Sequence, residues 1–153
     1  MKKSTILIIM LISSLSLLPS LGIKTIRRFL PSTIFISFII SMESTFAKKK
    51  NWWTIHEKLF PHLIAETPFI LGPFLTGSLF ILKKSYGNIF QYFFYNLFFD
   101  YLFIYPLYAI FNKLGIITLN RLRQIELLRL FLLKAMLMYF FQTFIEESRS
   151  VNE

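Results

Sequence analysis

Five stretches of this chain, at about 5–23, 29–47, 63–82, 89–111 and 127–145, are apolar almost throughout. Each is about 20 residues long, the length at which a helix rising about 1.5 Å per residue crosses the hydrocarbon core of a bilayer. A soluble domain of this size needs a polar surface to match its core, yet 55% of these residues are hydrophobic and 16% charged. Lipid therefore replaces water as the main solvent. The fold class expected is all-α: a polytopic transmembrane helix bundle of about five spans, forming one integral membrane domain over 1–153. Short connections leave little chain for any extramembrane domain.

The net charge of +9 raises the question of nucleic acid. The basic residues sit mostly between the apolar blocks, as pairs and triplets next to expected membrane ends. There they anchor helices and set topology, and no recognition helix or basic tail stands apart. The bilayer is thus the expected partner, and nucleic acid is not. With no cysteine, disulfides, thiolate metal sites, a cysteine nucleophile and a lipidated cysteine anchor are excluded.

The first block follows Lys2 and Lys3 and ends at Ser20-Leu21-Gly22, a pattern shared with signal peptides. Lys24, Arg27 and Arg28 follow at once and oppose export, so an uncleaved span is favoured; cleavage would leave four spans. The second block carries Pro31 in its expected first turn, then Ser37, Ser41, Glu43 and Ser44. Lys48, Lys49 and Lys50 close it, and Trp52 and Trp53 behind them mark an interface, where indole rings prefer the headgroup level. In the third block Pro68 and Pro73 deprive the carbonyls of Ile64 and Phe69 of their usual donors, which predicts a kink. A turn at Ser85-Tyr86-Gly87-Asn88 leads to an aromatic fourth block holding Asn96, Asp100 and Pro106. A loop is expected over 112–120, then a last helix starting near Arg121.

Placing the N-terminus inside gives the cytoplasmic side Lys2, Lys3, Lys48, Lys49, Lys50, Lys58, Lys113, Arg121, Arg123 and Arg129. The outer side then receives Lys24, Arg27, Arg28, Lys83, Lys84 and Arg149. Ten against six favours this orientation, with the C-terminus outside.

Ionisable groups in a bilayer are costly, and five fall in or near the blocks: Glu43, Glu66, Asp100, Arg129 and Lys134. Arg129 can snorkel to the headgroups. Asp100 lies near the midplane with Asn96 one turn before it, and antiparallel pairing sets these level with Gly72 and Thr76 of the third span. Gly72 and Thr76 form a small-residue stripe, and Gln142 falls near the depth of Asn96. Interhelical hydrogen bonding among these groups is favoured over a proton or ion relay. A second expectation is an inner-leaflet pocket of Glu43, His62, Glu66 and Lys134 beside the proline-broken span, as in transporters. Its bland counterpart, which is favoured, is snorkelling plus one Glu66–Lys134 pair.

His56-Glu57 begins like the H-E-x-x-H zinc motif, but the fifth position is Phe60 and Pro61 interrupts the route to His62. A metalloprotease is set aside, leaving only a looser site of His56, His62 and Glu66. No G-x-S-x-G, phosphate-cradling glycine loop, kinase or dinucleotide signature is present, so no catalytic residue, metal or cofactor is assigned.

His56-Glu57-Lys58-Leu59-Phe60-Pro61-His62, the stretch from Glu66-Thr67-Pro68 through Gly72-Pro73, and Tyr105-Pro106-Leu107 resemble small multispanning proteins of low-GC Gram-positive bacteria. The resemblance covers roughly the last two-thirds of the chain and implies a cytoplasmic-membrane location. The leading functional expectation is a non-enzymatic accessory or interaction protein, whose partner is a neighbouring membrane protein or a second copy. Its rivals are a small oligomeric carrier using Asp100 and Glu66, and a lipid-acting enzyme with His62 and Glu66 as acid and base.

Overall fold

The computed structural model describes residues 1–153. Five helical rods carry the chain back and forth. The first comprises α1 (Lys3–Leu15) and the short α2 (Leu18–Leu21), and the second is α3 (Ile23–Lys50). The third joins α4 (Thr67–Phe69), a π-helical turn (Ile70–Phe74) and α5 (Leu75–Ser85). The fourth joins α6 (Ile89–Leu102), a second π-helical turn (Phe103–Leu107) and α7 (Tyr108–Lys113), and the fifth is α8 (Gln124–Val151). Two three-residue strands, β1 (Trp53–Ile55) and β2 (Ile117–Leu119), complete the chain.

The helical bundle expected from the sequence is thus what forms. Four of the rods, Lys3–Leu21, Ile23–Lys50, Ile89–Lys113 and Gln124–Val151, are long and apolar enough to cross a membrane, consistent with a multi-pass membrane protein. The third rod is not among them, and it begins at Thr67, so 63–66 lies before it rather than inside a span. Its composition fits its position: α1, α3 and α6 all pack on it, and Gly72, Thr76, Ser78 and Ser85 are buried against protein. A rod solvated by neighbouring helices does not need the uniformly apolar surface that lipid demands.

The prolines take up three different settings, and only the first-turn placement expected for Pro31 is overturned. Pro68 sits in the first turn of its rod, where the donor it lacks has no intrahelical acceptor anyway. Pro73 and Pro106 each lie inside a π-helical turn, which absorbs the missing i→i−4 bond without ending the rod. Pro31 lies in the interior of α3, since that helix starts at Ile23 and takes up Lys24, Arg27 and Arg28. The turn before α3 is Gly22 alone, whose φ of 84° is open to glycine and strained for other residues. The last helix starts at Gln124, not Arg121, and the expected 112–120 loop is partly helix and partly strand.

β1 and β2 pair antiparallel with Trp53 opposite Leu119 and Ile55 opposite Ile117. Asn51, in the left-handed conformation at φ 55°, turns the chain from α3 into this ribbon, and Asn120 ties it shut by donating to Asn51 Oδ1 and Thr54 Oγ1. A side chain at Gly115 would meet Lys3 Nζ at 3.2 Å, so the start of α1 lies beside the same ribbon. The connection after α3, the connection before α8 and the head of α1 therefore share one end of the bundle. At the other end, Lys83 Nζ donates to the Leu21 carbonyl and Arg28 meets Glu146.

The main core joins α2, α3, α5, α6 and α8 through Leu21, Phe29, Ile36, Leu79, Leu82, Tyr92 and Met138. A second cluster, Leu7, Phe69, Phe111 and Ile116, holds α1 near the ribbon. The outward face of α6 presents Phe90, Phe94 and Phe98 one turn apart, each more than half exposed, as a lipid-facing helix would.

Candidate functional site

Two polar crossings join α3 to α8. The inner one pairs Lys134 Nζ with Glu43 Oε2 at 2.7 Å. Lys134 is ten residues into α8 and Glu43 seven from the end of α3, so both lie about 10–15 Å from the helix ends that flank the ribbon. Lys134 is buried, and its ammonium also lies 4.7 Å from the centre of the Phe131 ring. Asp100 of α6 is within Coulombic reach of Lys134 but does not contact it as an ion pair. Three buried oxygens here have no hydrogen-bond partner: Glu43 Oε1, Ser44 Oγ and Asp100 Oδ2. One cation thus faces two carboxylates, and each carboxylate keeps an unfilled acceptor.

The outer crossing is built from Gln142. Its Oε1 accepts from Ser32 Oγ at 2.6 Å, and its Nε2 donates to Glu146 Oε1 at 3.0 Å and to the Arg28 carbonyl at 3.3 Å. Arg28 in turn grips Glu146 through Nε and Nη2, the bidentate geometry that suits a guanidinium on a carboxylate. The Arg28 guanidinium stacks 4.9 Å from the Phe29 ring and 5.1 Å from the Tyr86 ring. Burial pushes the Tyr86 phenol, in the turn after α5, above its ordinary value. Phe35 and Phe141 stack at 4.0 Å between the outer and inner crossings.

The expected grouping of Asp100, Asn96, Gln142, Gly72 and Thr76 does not form. Asn96 is buried, but its Nδ2 donates to the Tyr92 carbonyl of its own helix at 2.8 Å. The bond that does leave α6 is Tyr92 Oη to the Ala135 carbonyl, at 2.7 Å. Tyr92, Asn96 and Asp100 follow one another at four-residue spacing, so one face of α6 turns toward α8. Gly72 and Thr76 do permit a close approach, but to α1. A side chain at Gly72 would meet the Leu11 backbone at 3.4 Å, and Thr76 Oγ1 donates to the Ser14 carbonyl. The reason is connectivity: α1 lies against the π-helical turn of the third rod and takes up the stripe.

The expected pocket of Glu43, His62, Glu66 and Lys134 is likewise split. Glu66 accepts from Trp53 Nε1 at 2.8 Å rather than pairing with Lys134, and His62 is exposed on the 56–66 connection. The indole anchors Glu66 to the ribbon, an element that helical spacing gives no means of foreseeing. His56 pairs with Thr118 across the strands at 2.9 Å, and no three His, Asp or Glu side chains converge as metal ligands.

Ser32, Tyr92 and the Arg28–Glu146 pair carry no motif, so the sequence alone did not single them out. Their one readable signal is spacing, since Gln142 and Glu146 are one turn apart on α8 and Arg28 and Ser32 one turn apart on α3. Comparison with family models, curated proteins and solved structures finds no match to this chain.

Proposed function

We propose that this chain is a non-enzymatic accessory or interaction protein of the bacterial cytoplasmic membrane, with the N-terminus inside and the C-terminus outside. The observation that carries the reading is the use made of interior polar groups. Glu43–Lys134, Ser32–Gln142 and Tyr92–Ala135 each tie one helix to another. Groups engaged this way hold a scaffold and offer no surface to a substrate. The orientation rests on the ten basic residues at the ribbon end against six at the other. The location is supported by the resemblance to small multispanning proteins of Gram-positive bacteria. The partner is a neighbouring membrane protein or a second copy, met through lipid-exposed helix faces such as that of Phe90, Phe94 and Phe98.

The unpartnered oxygens beside Lys134 favour a second reading, a small proton-coupled carrier. Asp100 and Glu43 would then exchange protons around a fixed ammonium, with Glu66 outside the relay because its carboxylate is held by Trp53. Reconstitution into liposomes loaded with a pH-sensitive dye separates the two. The accessory reading expects proton flux equal to that of protein-free vesicles, under either sign of imposed potential. Flux that Asp100→Asn abolishes, with the variant still folded, would establish the carrier instead.

A further inference from the structure

The charge of the chain is divided unevenly between the two ends of the bundle. The ribbon end carries ten Lys and Arg against Glu57, Glu66 and Glu126, a net of +7; the other end carries six against Glu146, Glu147 and Glu153, a net of +3. Glu43, Asp100 and Lys134 in the interior account for the remaining −1. Folding concentrates the first group further. The β1–β2 pairing sets Arg121, just after β2, beside the Lys48-Lys49-Lys50 triplet at the end of α3, and Lys113, before β2, stands at the other end of the same ribbon. The Arg121 amide donates to the Asn51 carbonyl directly after the triplet, and Lys3 reaches Gly115 from α1. All six of these side chains are exposed and none is in an ion pair; at this end only Arg123 is, with Glu126. A sequence of separate basic clusters thus becomes one unneutralised basic cap, held in shape by the strand pairing and the Asn51–Asn120–Thr54 bonds.

The surface just inside the cap is apolar. Phe46 and Met42 lie about one and two turns before Lys50 on α3, each about half exposed or more, and Trp52 packs on Phe46 at 5.4 Å. Exposed ammonium groups standing above exposed apolar side chains, with indoles at the boundary, match a molecule with an anionic head and a hydrocarbon tail. A nucleic acid or an acidic protein would use the charges and leave Met42 and Phe46 uncovered.

We infer that the ribbon-organised cap around Lys48, Lys49, Lys50, Lys113 and Arg121 is a binding surface for anionic phospholipid headgroups, and that occupancy by such lipids stabilises the folded bundle. The inference rests on the membrane-spanning character of the helices. It is independent of whether the chain is an accessory protein or a carrier.

The test uses the full chain in phosphatidylcholine nanodiscs, into which phosphatidylglycerol is introduced stepwise. Thermal midpoint and bound-lipid stoichiometry by native mass spectrometry are the readouts. The expected result is a rise in midpoint with phosphatidylglycerol that shrinks as salt is added. In Lys48→Gln/Lys49→Gln/Lys50→Gln the apparent affinity for phosphatidylglycerol should fall at least about ten-fold, since each lysine near an anionic surface contributes several-fold. The matching Lys→Arg triple variant should retain it, and Lys83→Gln/Lys84→Gln, at the other end, should bind like the wild type. Midpoints in pure phosphatidylcholine show whether each variant folds. Equal response to both lipids, or equal losses in the two glutamine variants, overturns the inference. So does tighter binding of a single-stranded oligonucleotide or a polyglutamate peptide to the phosphatidylcholine discs, which would make the cap a site for a macromolecule.

Discussion

The outer and inner crossings between α3 and α8 are made by the same two helices and differ in how completely their polar groups are partnered. At the outer crossing Ser32, Gln142, Arg28 and Glu146 satisfy one another, and Arg28 and Glu146 are close enough to the helix ends to remain partly exposed. At the inner crossing Glu43 and Lys134 make one close contact and leave Glu43 Oε1, and Asp100 Oδ2 nearby, without donors. A partnered network near water stabilises at little desolvation cost, whereas a buried pair with unfilled acceptors recovers less than it loses. The outer crossing therefore holds the helices together. The inner one fixes their register, because breaking it alone is costly while replacing it with well-packed apolar residues is not.

Removing one charge should produce the largest effect. Lys134→Met leaves Glu43 buried without its cation, with an expected loss of about 3 kcal/mol, the low end for breaking a buried pair. Adding Glu43→Gln should restore most of that loss. Unfolding of the purified proteins in detergent measures both, and a single variant as stable as the wild type would mean that Lys134 reaches water. Gln142→Leu removes the acceptor of Ser32 and a donor to Glu146. The expected loss is about 0.6–1.7 kcal/mol, the range for hydrogen bonds between membrane helices. A smaller loss here than at any inner-crossing variant that keeps Lys134 and Glu43 would reverse the comparison. Asp100 should behave in the opposite sense. With no hydrogen bond to lose, Asp100→Leu should be neutral or stabilising by about 1 kcal/mol, and Asp100→Asn should change stability less. A clear loss in Asp100→Leu would restore the interhelical role that its position first suggests. Smallest of all is Glu126→Gln, which removes only the exposed pair with Arg123 at the start of α8. It should leave the unfolding midpoint close to that of the wild type.

Four of the five expected spans correspond to helices long and apolar enough to cross a membrane, legible because membrane thickness leaves a long apolar signature that needs no partner to interpret. The shared end of the 51–66 and 114–123 connections was legible too, as a consequence of counting crossings. The contacts between spans were not. Helical spacing gives the face on which Asp100 and Asn96 lie, and depth gives the level of Lys134, but neither says which helix arrives opposite. Lys134 had Glu43, Glu66 and Asp100 near its level, and because α3 and α6 both pack along α8, depth and spacing do not choose Glu43 among them. Strands of three residues are too short to leave a pattern, so the ribbon that withdraws Glu66 and gathers the basic cap had no signal of its own. The π-helical turns were hidden for a related reason: a proline shows that a bond is missing, not how the helix absorbs the loss.

The α3–α8 register is the claim on which both crossings depend, and the absence of cysteine makes it directly measurable. Pairs of cysteines introduced into the otherwise wild-type chain can be joined in native membranes with a short bis-maleimide. Ser32→Cys with Gln142→Cys should link efficiently, given the 2.6 Å contact between the native side chains. Ser32→Cys with Lys134→Cys should not, because the second site is about 12 Å further along α8. Linking of the second pair in preference to the first would contradict the register and with it both crossings.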